Sequence, residues 1–80
     1  MKPVKNLGEL KEMASIQSFE GYILLKFGVR SSKHIEYNPK EDSWYIYNYI
    51  DDTEQRVNTK ELRKMTNIVE ALEKGALFKY

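Results

Sequence analysis

Apolar and polar side chains alternate most regularly in residues 44–50, Trp-Tyr-Ile-Tyr-Asn-Tyr-Ile. Successive side chains of a β-strand point to opposite faces. One face of this strand would carry Trp44, Ile46, Asn48 and Ile50. The other face would carry only tyrosines, which are Tyr45, Tyr47 and Tyr49. Because aromatic and β-branched residues favour strands, we predict a half-buried strand with a core face and a tyrosine-rich face.

Two segments before this strand, residues 20–29 and 33–37, show the same alternation. The polar residues 30–32 predict a tight turn between them, and residues 38–43 contain a stronger turn signal that includes a proline. Pairing the strands across these loops places Phe27 opposite Ile35, Ile35 opposite Ile46, and Tyr37 opposite Trp44. Both hairpins then agree on one apolar face, which consists of Ile23, Leu25, Phe27, Ile35, Tyr37, Trp44 and Ile46. This agreement predicts a three-stranded antiparallel β-meander.

A helical repeat precedes the strands. Asn6 is suited to cap a helix that extends to about residue 18, because its side chain can accept a hydrogen bond from the first turn. One stripe of that helix would be apolar, with Leu7, Leu10 and Ala14. Residues 1–5 have no such pattern, and we expect them to form a flexible arm.

A second helical repeat, in residues 59–75, follows the strands. Asn58 and Glu61 fit a variant capping box at its start, and Gly75 suits a left-handed residue at its end. The Thr-Asn pair at 66–67 favours a second cap, which would divide the region into two short helices. Residues 55–58 are either a short fourth strand or a connection, and residues 76–80 are an apolar tail that we expect to pack on the core.

These elements predict a single domain over residues 1–80. Its fold class would be α+β, with an N-terminal helix, a three-stranded antiparallel β-meander, and one or two C-terminal helices packed on one sheet face. A domain of 80 residues buries only a modest core. Self-association as a homodimer is therefore a natural further source of stability.

The composition restricts the other sources of stability and the expected location. The chain has no cysteine and one histidine, so we expect neither disulfides nor a metal site. No apolar run has the length of a membrane span, and no secretory signal pattern follows the first residues. We therefore expect a cytoplasmic protein that does not bind membranes.

The charge is unevenly distributed, although the net charge is only +1. Acidic residues concentrate in residues 36–55, and the segments on both sides are mildly basic. This arrangement lacks the basic stripe of a protein that binds duplex DNA. The acidic turns are either ordinary solvated surface or a second candidate surface for a basic partner. The residues of that second surface are Glu41, Asp42, Asp51, Asp52 and Glu54.

Few residues are suited to catalysis. His34, the only histidine, lies on a predicted strand, and no partner at a recognisable spacing would make it a general base. The pair Asp51-Asp52 is typical of a turn. Gly21 and Gly28 are isolated strand glycines rather than a phosphate-binding loop. We therefore predict that the protein is not an enzyme and has no catalytic residue, cofactor or metal site.

The second face of the meander carries the main functional prediction. If the helices cover the apolar face, the opposite face is open to a partner. Its amphipathic side chains are Tyr22, Lys26, His34, Glu36, Tyr45, Tyr47 and Tyr49. Because tyrosine is enriched in protein interfaces, we predict a protein partner of unknown identity.

Three alternatives explain the same tyrosines. They stabilise cross-strand pairs and bind nothing, or they hold two copies of the chain together. In the third alternative they stack on the bases of single-stranded nucleic acid. The neighbouring glutamate and the acidic turns disfavour this last alternative, because they repel phosphates.

The aromatic strand is followed by two motifs that resemble parts of short phage- and prophage-encoded proteins. These are the Ile-Asp-Asp-Thr turn at residues 50–53 and Thr-Asn-Ile-x-Glu-Ala-Leu-x-x-Gly at residues 66–75. The predicted order of elements is also similar to that of some anti-CRISPR proteins, which block RNA-guided nucleases. Those inhibitors are typically strongly acidic mimics of nucleic acid, and this chain departs from them with its net charge of +1.

The resemblance implies an accessory protein of a phage or another mobile element. Our leading prediction is a non-catalytic protein-binding module that acts through the tyrosine-rich face. An inhibitor of a host or CRISPR-type nuclease, a single-stranded nucleic-acid binder and a homodimeric structural protein are the alternatives.

Overall fold

The computed structural model describes residues 2–24 and 30–80, which form one antiparallel sheet with helices packed on one of its faces. The strands are β1 (Lys2–Pro3), β2 (Phe19–Leu24), β3 (Arg30–Asn38), β4 (Ser43–Asn48), β5 (Thr53–Val57) and β6 (Leu77–Lys79). The helices are α1 (Leu7–Ile16), α2 (Thr59–Leu62) and α3 (Thr66–Glu73). The strands lie in the order β1-β6-β2-β3-β4-β5. The predicted α+β arrangement is confirmed, but the sheet has more strands than the three of the predicted meander.

The hairpin β3–β4 has the predicted register. Ile35 lies opposite Ile46, and Tyr37 lies opposite Trp44. Of the residues 55–58 that the sequence left open as strand or connection, 55–57 belong to β5, which begins at Thr53 and pairs with β4. Asn58 instead caps α2. The alternation of the tyrosine strand was sufficient to fix this part of the sheet.

The hairpin β2–β3 differs from the prediction. Phe19, rather than Phe27, lies opposite Ile35, and the residues predicted as a turn, 30–32, belong to β3. Phe19 and Phe27 are an even number of positions apart, so both registers place the same residues of β3 on the core face. The alternation therefore predicted the faces correctly but left the register open. Two predicted members of the apolar face, Leu25 and Phe27, lie outside the described residues.

The core lies between the helices and one face of the sheet. The sheet contributes Phe19, Ile35 and Trp44, all fully buried. The helices contribute Leu10, Leu62 and Ile68, which are equally buried. Because every helix packs on this face, the other face of the sheet has no helix over it in the described part of the chain.

Gly21 permits a close approach at the centre of the sheet. A Cβ atom at this position would lie 2.1 Å from the carbonyl oxygen of Phe78 and 2.4 Å from Cζ of Phe19. These distances leave no room for a side chain. The fold therefore requires glycine at position 21, where the Phe19 ring and the backbone of β6 both lie against β2.

The first two helices begin at the predicted caps. The Asn6 side chain accepts a hydrogen bond of 2.8 Å from the backbone N–H of Glu9. Asn58 and Glu61 form the reciprocal bonds of a capping box at the start of α2. These bonds satisfy N–H groups that a helix start would otherwise leave without a partner.

The break between α2 and α3 is confirmed, although its predicted cap is not. The cap position is Met65, which makes no side-chain hydrogen bond to the helix. The chain leaves α3 through Gly75, whose φ is 65°. The N–H of Ala76 then donates to the carbonyl of Ala71 at 2.7 Å, which closes the helix end as glycine-terminated helices commonly do.

Both ends of the described chain are held by the sheet. Lys2–Pro3 pairs with β6, and the N–H of the buried Val4 donates to the carbonyl of Leu77 at 2.7 Å. Residues 2–4, which we expected to form a flexible arm, are therefore part of the fold. The apolar tail forms β6 and inserts Leu77 into the core. No helix within residues 2–24 and 30–80 is long and apolar enough to span a bilayer.

Candidate protein-binding face

The open face of the sheet carries the residues that were predicted for binding, apart from Lys26. Directly paired residues of an antiparallel sheet share a face, so the pairings of His34 with Glu20 and Tyr47, and of Tyr45 with Glu36 and Arg56, identify it. We call this surface the tyrosine face, and its residues are Glu20, Tyr22, His34, Glu36, Tyr45, Tyr47, Tyr49, Glu54 and Arg56. Lys26 lies outside the described residues.

Three tyrosines form a row that runs along β4 and ends just after it. Each of their hydroxyls donates a hydrogen bond to a carboxylate. Tyr45 donates to Glu54 at 2.8 Å, and Tyr47 donates to Asp52. The Tyr49 hydroxyl lies 3.4 Å from both carboxylate oxygens of Glu20. The rings of Tyr47 and Tyr49 meet edge to face, with their centroids 4.9 Å apart. The row is therefore held in place by bonds at its polar ends and by ring contacts.

The surroundings of the row raise the pKa of all three phenol groups. The pKa of Tyr45 is raised by its hydrogen bond to Glu54, and the pKa of Tyr47 is raised by its bond to Asp52. Burial and the charge of Glu20 raise the pKa of Tyr49. The hydroxyl protons are thus committed to intramolecular bonds, which leaves ring surfaces and carboxylate oxygens for a partner.

His34 lies at the centre of the face between two glutamates. Its Nδ1 atom is 2.5 Å from Oε1 of Glu20, and its Nε2 atom is 3.1 Å from Oε1 of Glu36. Burial disfavours the charged imidazolium, but the two carboxylates outweigh it, and the pKa of His34 is raised. An imidazole donates from both nitrogens only when it is protonated, which agrees with this direction.

The aromatic side chains of Tyr22, Phe78 and Tyr80 continue the face across β2 and β6. Together with Arg30 and with Ser32, whose hydroxyl oxygen lies 2.7 Å from that of Tyr80, we call them the aromatic cluster. The ring of Tyr22 stacks on Phe78, and its centroid is 5.3 Å from those of both Phe78 and Tyr80. The Arg30 guanidinium lies 5.0 Å from the centroid of Tyr22. Tyr22 is consequently buried, although no helix covers it.

The tyrosine face has a small excess of negative charge, because four carboxylates adjoin three groups that are cationic when His34 is protonated. Its carboxylates are Glu20, Glu36 and Glu54, and Asp52 adjoins them through its bond with Tyr47. The opposing side chains are His34, Arg30 of the aromatic cluster and Arg56, whose guanidinium lies 4.8 Å from the centroid of the Tyr45 ring. Ring surface bordered by carboxylates is suited to guanidinium and ammonium groups.

The acidic turns that formed the second candidate surface do not lie together. Glu41 and Asp42 are at one end of β4, whereas Asp51, Asp52 and Glu54 follow its other end. A strand of this length spans about 20 Å. Asp52 and Glu54 contact the tyrosine face instead, as described above.

The hydrogen bonds of Asp42 connect two parts of the fold. It accepts hydrogen bonds from the Tyr37 hydroxyl at 2.9 Å and from the Thr59 hydroxyl. The Thr59 oxygen in turn accepts a 2.9 Å bond from Nε1 of the buried Trp44. The bonds from Thr59 and Tyr37 lower the pKa of Asp42. Asp42 therefore joins the β3–β4 loop to the start of α2.

The helix side of the protein contains an apolar groove of about 470 Å³ between the start of α1 and the α2–α3 region. Its apolar lining consists of Leu7, Leu62, Ile68, Val69 and Leu72.

Within residues 2–24 and 30–80, no group of three or more His, Cys, Asp or Glu side chains is placed to hold a metal ion. No donor set for a metal therefore accompanies the tyrosine face.

The sequence interpretation missed several members of this surface. Phe78 and Tyr80 were assigned to a tail on the core, yet they alternate with Leu77 and Lys79 as strand residues do. Glu20 and Arg56 were overlooked, and Glu54 was assigned to the acidic turns, because their contribution to this face depends on strand pairing. The alternation in the last four residues was the signal that could have revealed the aromatic cluster.

No family model, curated protein or solved structure matches this chain.

Proposed function

We propose that this chain is a non-catalytic protein-binding module whose tyrosine face binds a basic surface of another protein. The observation that carries this proposal is the row of Tyr45, Tyr47 and Tyr49, which lies on an uncovered sheet face with every hydroxyl bonded to a carboxylate.

The order of this row favours protein recognition. Tyrosine offers a large ring surface and loses little conformational entropy on binding. Here the rings are already fixed by their hydrogen bonds and by the contact between Tyr47 and Tyr49. Side chains that are ordered before binding lower the entropic cost of association. Interfaces are typically anchored by a few such aromatic residues.

The charge of the face favours a basic partner. Glu20, Glu36 and Glu54 offer carboxylate oxygens beside the rings. Arg56 already lies over the ring of Tyr45, so an intramolecular guanidinium exemplifies the contact that a partner's arginine or lysine would make. Complementary charge increases both the association rate and the specificity of such a complex.

The same carboxylates disfavour binding of single-stranded nucleic acid. Proteins that stack bases on aromatic residues combine them with a positive groove for the phosphates, whereas this face has a small excess of negative charge. A nuclease inhibitor is a special case of our proposal, in which the basic partner surface is a nucleic-acid-binding groove. The resemblance to phage-encoded proteins motivates that case.

Capture from a lysate of a bacterial host tests the proposal. Immobilised wild-type protein should retain one stoichiometric partner, and added salt should weaken the retention. Tyr47→Ser should lose the partner. Ile16→Ser, which changes a 78% exposed apolar residue at the end of α1, is the matched control and should retain it. Recovery of nucleic acid alone, or equal recovery of the partner by wild type and both variants, would contradict the proposal.

A further inference from the structure

The two edges of the sheet differ in their capacity to pair with another strand. One edge is β1, which has two residues and includes Pro3. The other edge is β5, which has five residues and pairs only with β4 in the described part of the chain. Residues 53–56 of β5 are exposed. An exposed edge strand presents N–H and C=O groups that can pair with a further strand.

The hydrogen-bond pattern identifies which groups of β5 point outward. The N–H of Tyr49 donates to the carbonyl of Ser32 at 3.2 Å. Because the bonds of an antiparallel strand alternate in direction, the odd-numbered residues of β4 bond to β3 and its even-numbered residues bond to β5. The partners of these even-numbered residues in β5 are Thr53, Gln55 and Val57. The backbone groups of Glu54 and Arg56 therefore point away from the sheet.

The same alternation is visible across the neighbouring strands. Odd-numbered residues of β2 should bond to β3 and even-numbered residues to β6. In agreement, the N–H of Leu24 donates to the carbonyl of Ala76 at 2.8 Å, and the N–H of Tyr80 donates to the carbonyl of Glu20 at 3.1 Å. The outward direction at Glu54 and Arg56 thus follows from a pattern that holds throughout the sheet.

We propose that two copies of this chain form a symmetric dimer in which β5 pairs antiparallel with β5 of the second copy, centred on Gln55. In this register Glu54 of each copy lies opposite Arg56 of the other. A two-fold axis repeats the contact, so the dimer contains two such pairs of opposite charge. Gln55 lies opposite its own symmetry mate.

The charges of β5 disfavour the neighbouring registers. Only outward-pointing residues can be hydrogen-bonded partners, so the alternatives are centred on Glu54 or on Arg56. Each alternative places like charges directly opposite each other, which is destabilising. The register centred on Gln55 is the one in which the edge is complementary to itself.

The dimer would place the tyrosine faces of the two copies side by side. Glu54 and Arg56 both lie on that face, where Glu54 accepts the Tyr45 hydroxyl bond and Arg56 covers the Tyr45 ring. A two-fold axis perpendicular to the sheet keeps both faces on the same side. The dimer would therefore present two copies of the row to one partner, with the gain in affinity that two linked sites provide.

Sedimentation equilibrium up to millimolar concentration tests this proposal. Wild-type protein should associate to dimers, and Glu54→Arg or Arg56→Glu alone should be monomeric because each change places like charges opposite each other. An equimolar mixture of these two variants should form heterodimers, since every cross-strand pair is then of opposite charge. A monomeric wild type, or variants that dimerise as well as wild type, would overturn the proposal.

Amide hydrogen exchange of the wild type gives a second readout that does not depend on the folding of a variant. The N–H groups of Glu54 and Arg56 should become protected as the concentration rises, while that of Gln55, which already bonds to β4, should change little. Unchanged exchange at Glu54 and Arg56 in a dimeric sample would mean that the copies meet elsewhere. Because neither measurement needs the proposed partner, failure of the dimer leaves the test of partner binding unaffected.

Discussion

His34 and Glu20 lie directly opposite each other on β3 and β2, and Nδ1 of His34 is 2.5 Å from Oε1 of Glu20. Burial opposes protonation of the imidazole, but the bonds to Glu20 and Glu36 raise the pKa of His34. A pKa that is higher in the folded chain gives stabilisation that is fully present below the unfolded value, about 6.5. That stabilisation is lost as the pH rises through the folded value.

We therefore expect the stability advantage of wild type over His34→Gln to shrink as the pH rises above about 6.5, through the raised pKa of His34. Thermal unfolding of both proteins at a series of pH values measures this difference. Glu12→Gln, which alters an exposed carboxylate of α1, is a control whose difference from wild type should not follow the same trend. A constant or growing advantage of wild type would contradict the assignment of His34.

Gly21→Ala should destabilise the fold by about 1–3 kcal/mol, as overpacking of a tight site commonly does. The reason is the 2.1 Å distance between the added Cβ and the carbonyl oxygen of Phe78, which only a backbone shift can relieve. Chemical denaturation measures the change. Gly8→Ala in α1 is the control, because its Cβ meets only the side chain of Asn6, at 3.3 Å, and alanine favours a helix. Equal stability of Gly21→Ala and wild type would show that the strands are not this close.

Thr59→Val should cost about 1–3 kcal/mol, because it leaves the buried Trp44 Nε1–H without its acceptor and also removes the hydroxyl that donates to Asp42. Thr53→Val makes the same chemical change on the exposed edge strand and should have little effect. The free energy of unfolding in denaturant compares the two variants. If they lose equal stability, the bond between Trp44 and Thr59 does not contribute as proposed.

The face assignment could be predicted from the sequence because it depends on alternation alone. Ile35 and Ile46, and then Tyr45 and Tyr47, follow a period of two that any correct pairing must respect. The β2–β3 register could not be predicted in the same way. Phe19 and Phe27 fit opposite Ile35 equally well by parity, and only the packing of the whole core distinguishes them.

The charge distribution around the tyrosines also could not be predicted from the sequence. Glu20 is far from Tyr49 along the chain, and their contact arises from the pairing of β2 with β3 and of β3 with β4. The sequence predicted the acidic turns as a separate candidate surface, yet Asp52 and Glu54 contact the tyrosines. Local composition predicted the residue types of the site, and strand order determined which of them meet.

Asp52→Asn should weaken the salt dependence of partner binding and slow association, with little effect on stability. Asparagine keeps an oxygen that can accept the Tyr47 bond and tolerates the left-handed backbone of Asp52, whose φ is 53°. The substitution therefore removes mainly a charge that would steer a basic partner. Association rates measured at several salt concentrations test this, with Glu12→Gln as the control. Identical salt dependence in wild type and Asp52→Asn would argue against electrostatic steering by this face.

The affinity of the captured partner for Tyr47→Ser tests the central proposal most directly. Tyr47 is half-buried on a sheet face that no helix covers, so Tyr47→Ser should change stability by only about 1 kcal/mol. Loss of an interface anchor should weaken binding by about 2 kcal/mol, or roughly 30-fold. We predict that Tyr47→Ser melts near the wild-type temperature and binds at least that much more weakly, while Ile16→Ser binds normally. A Tyr47→Ser variant that remains folded and binds with wild-type affinity would contradict the proposal that the tyrosine face is the binding surface.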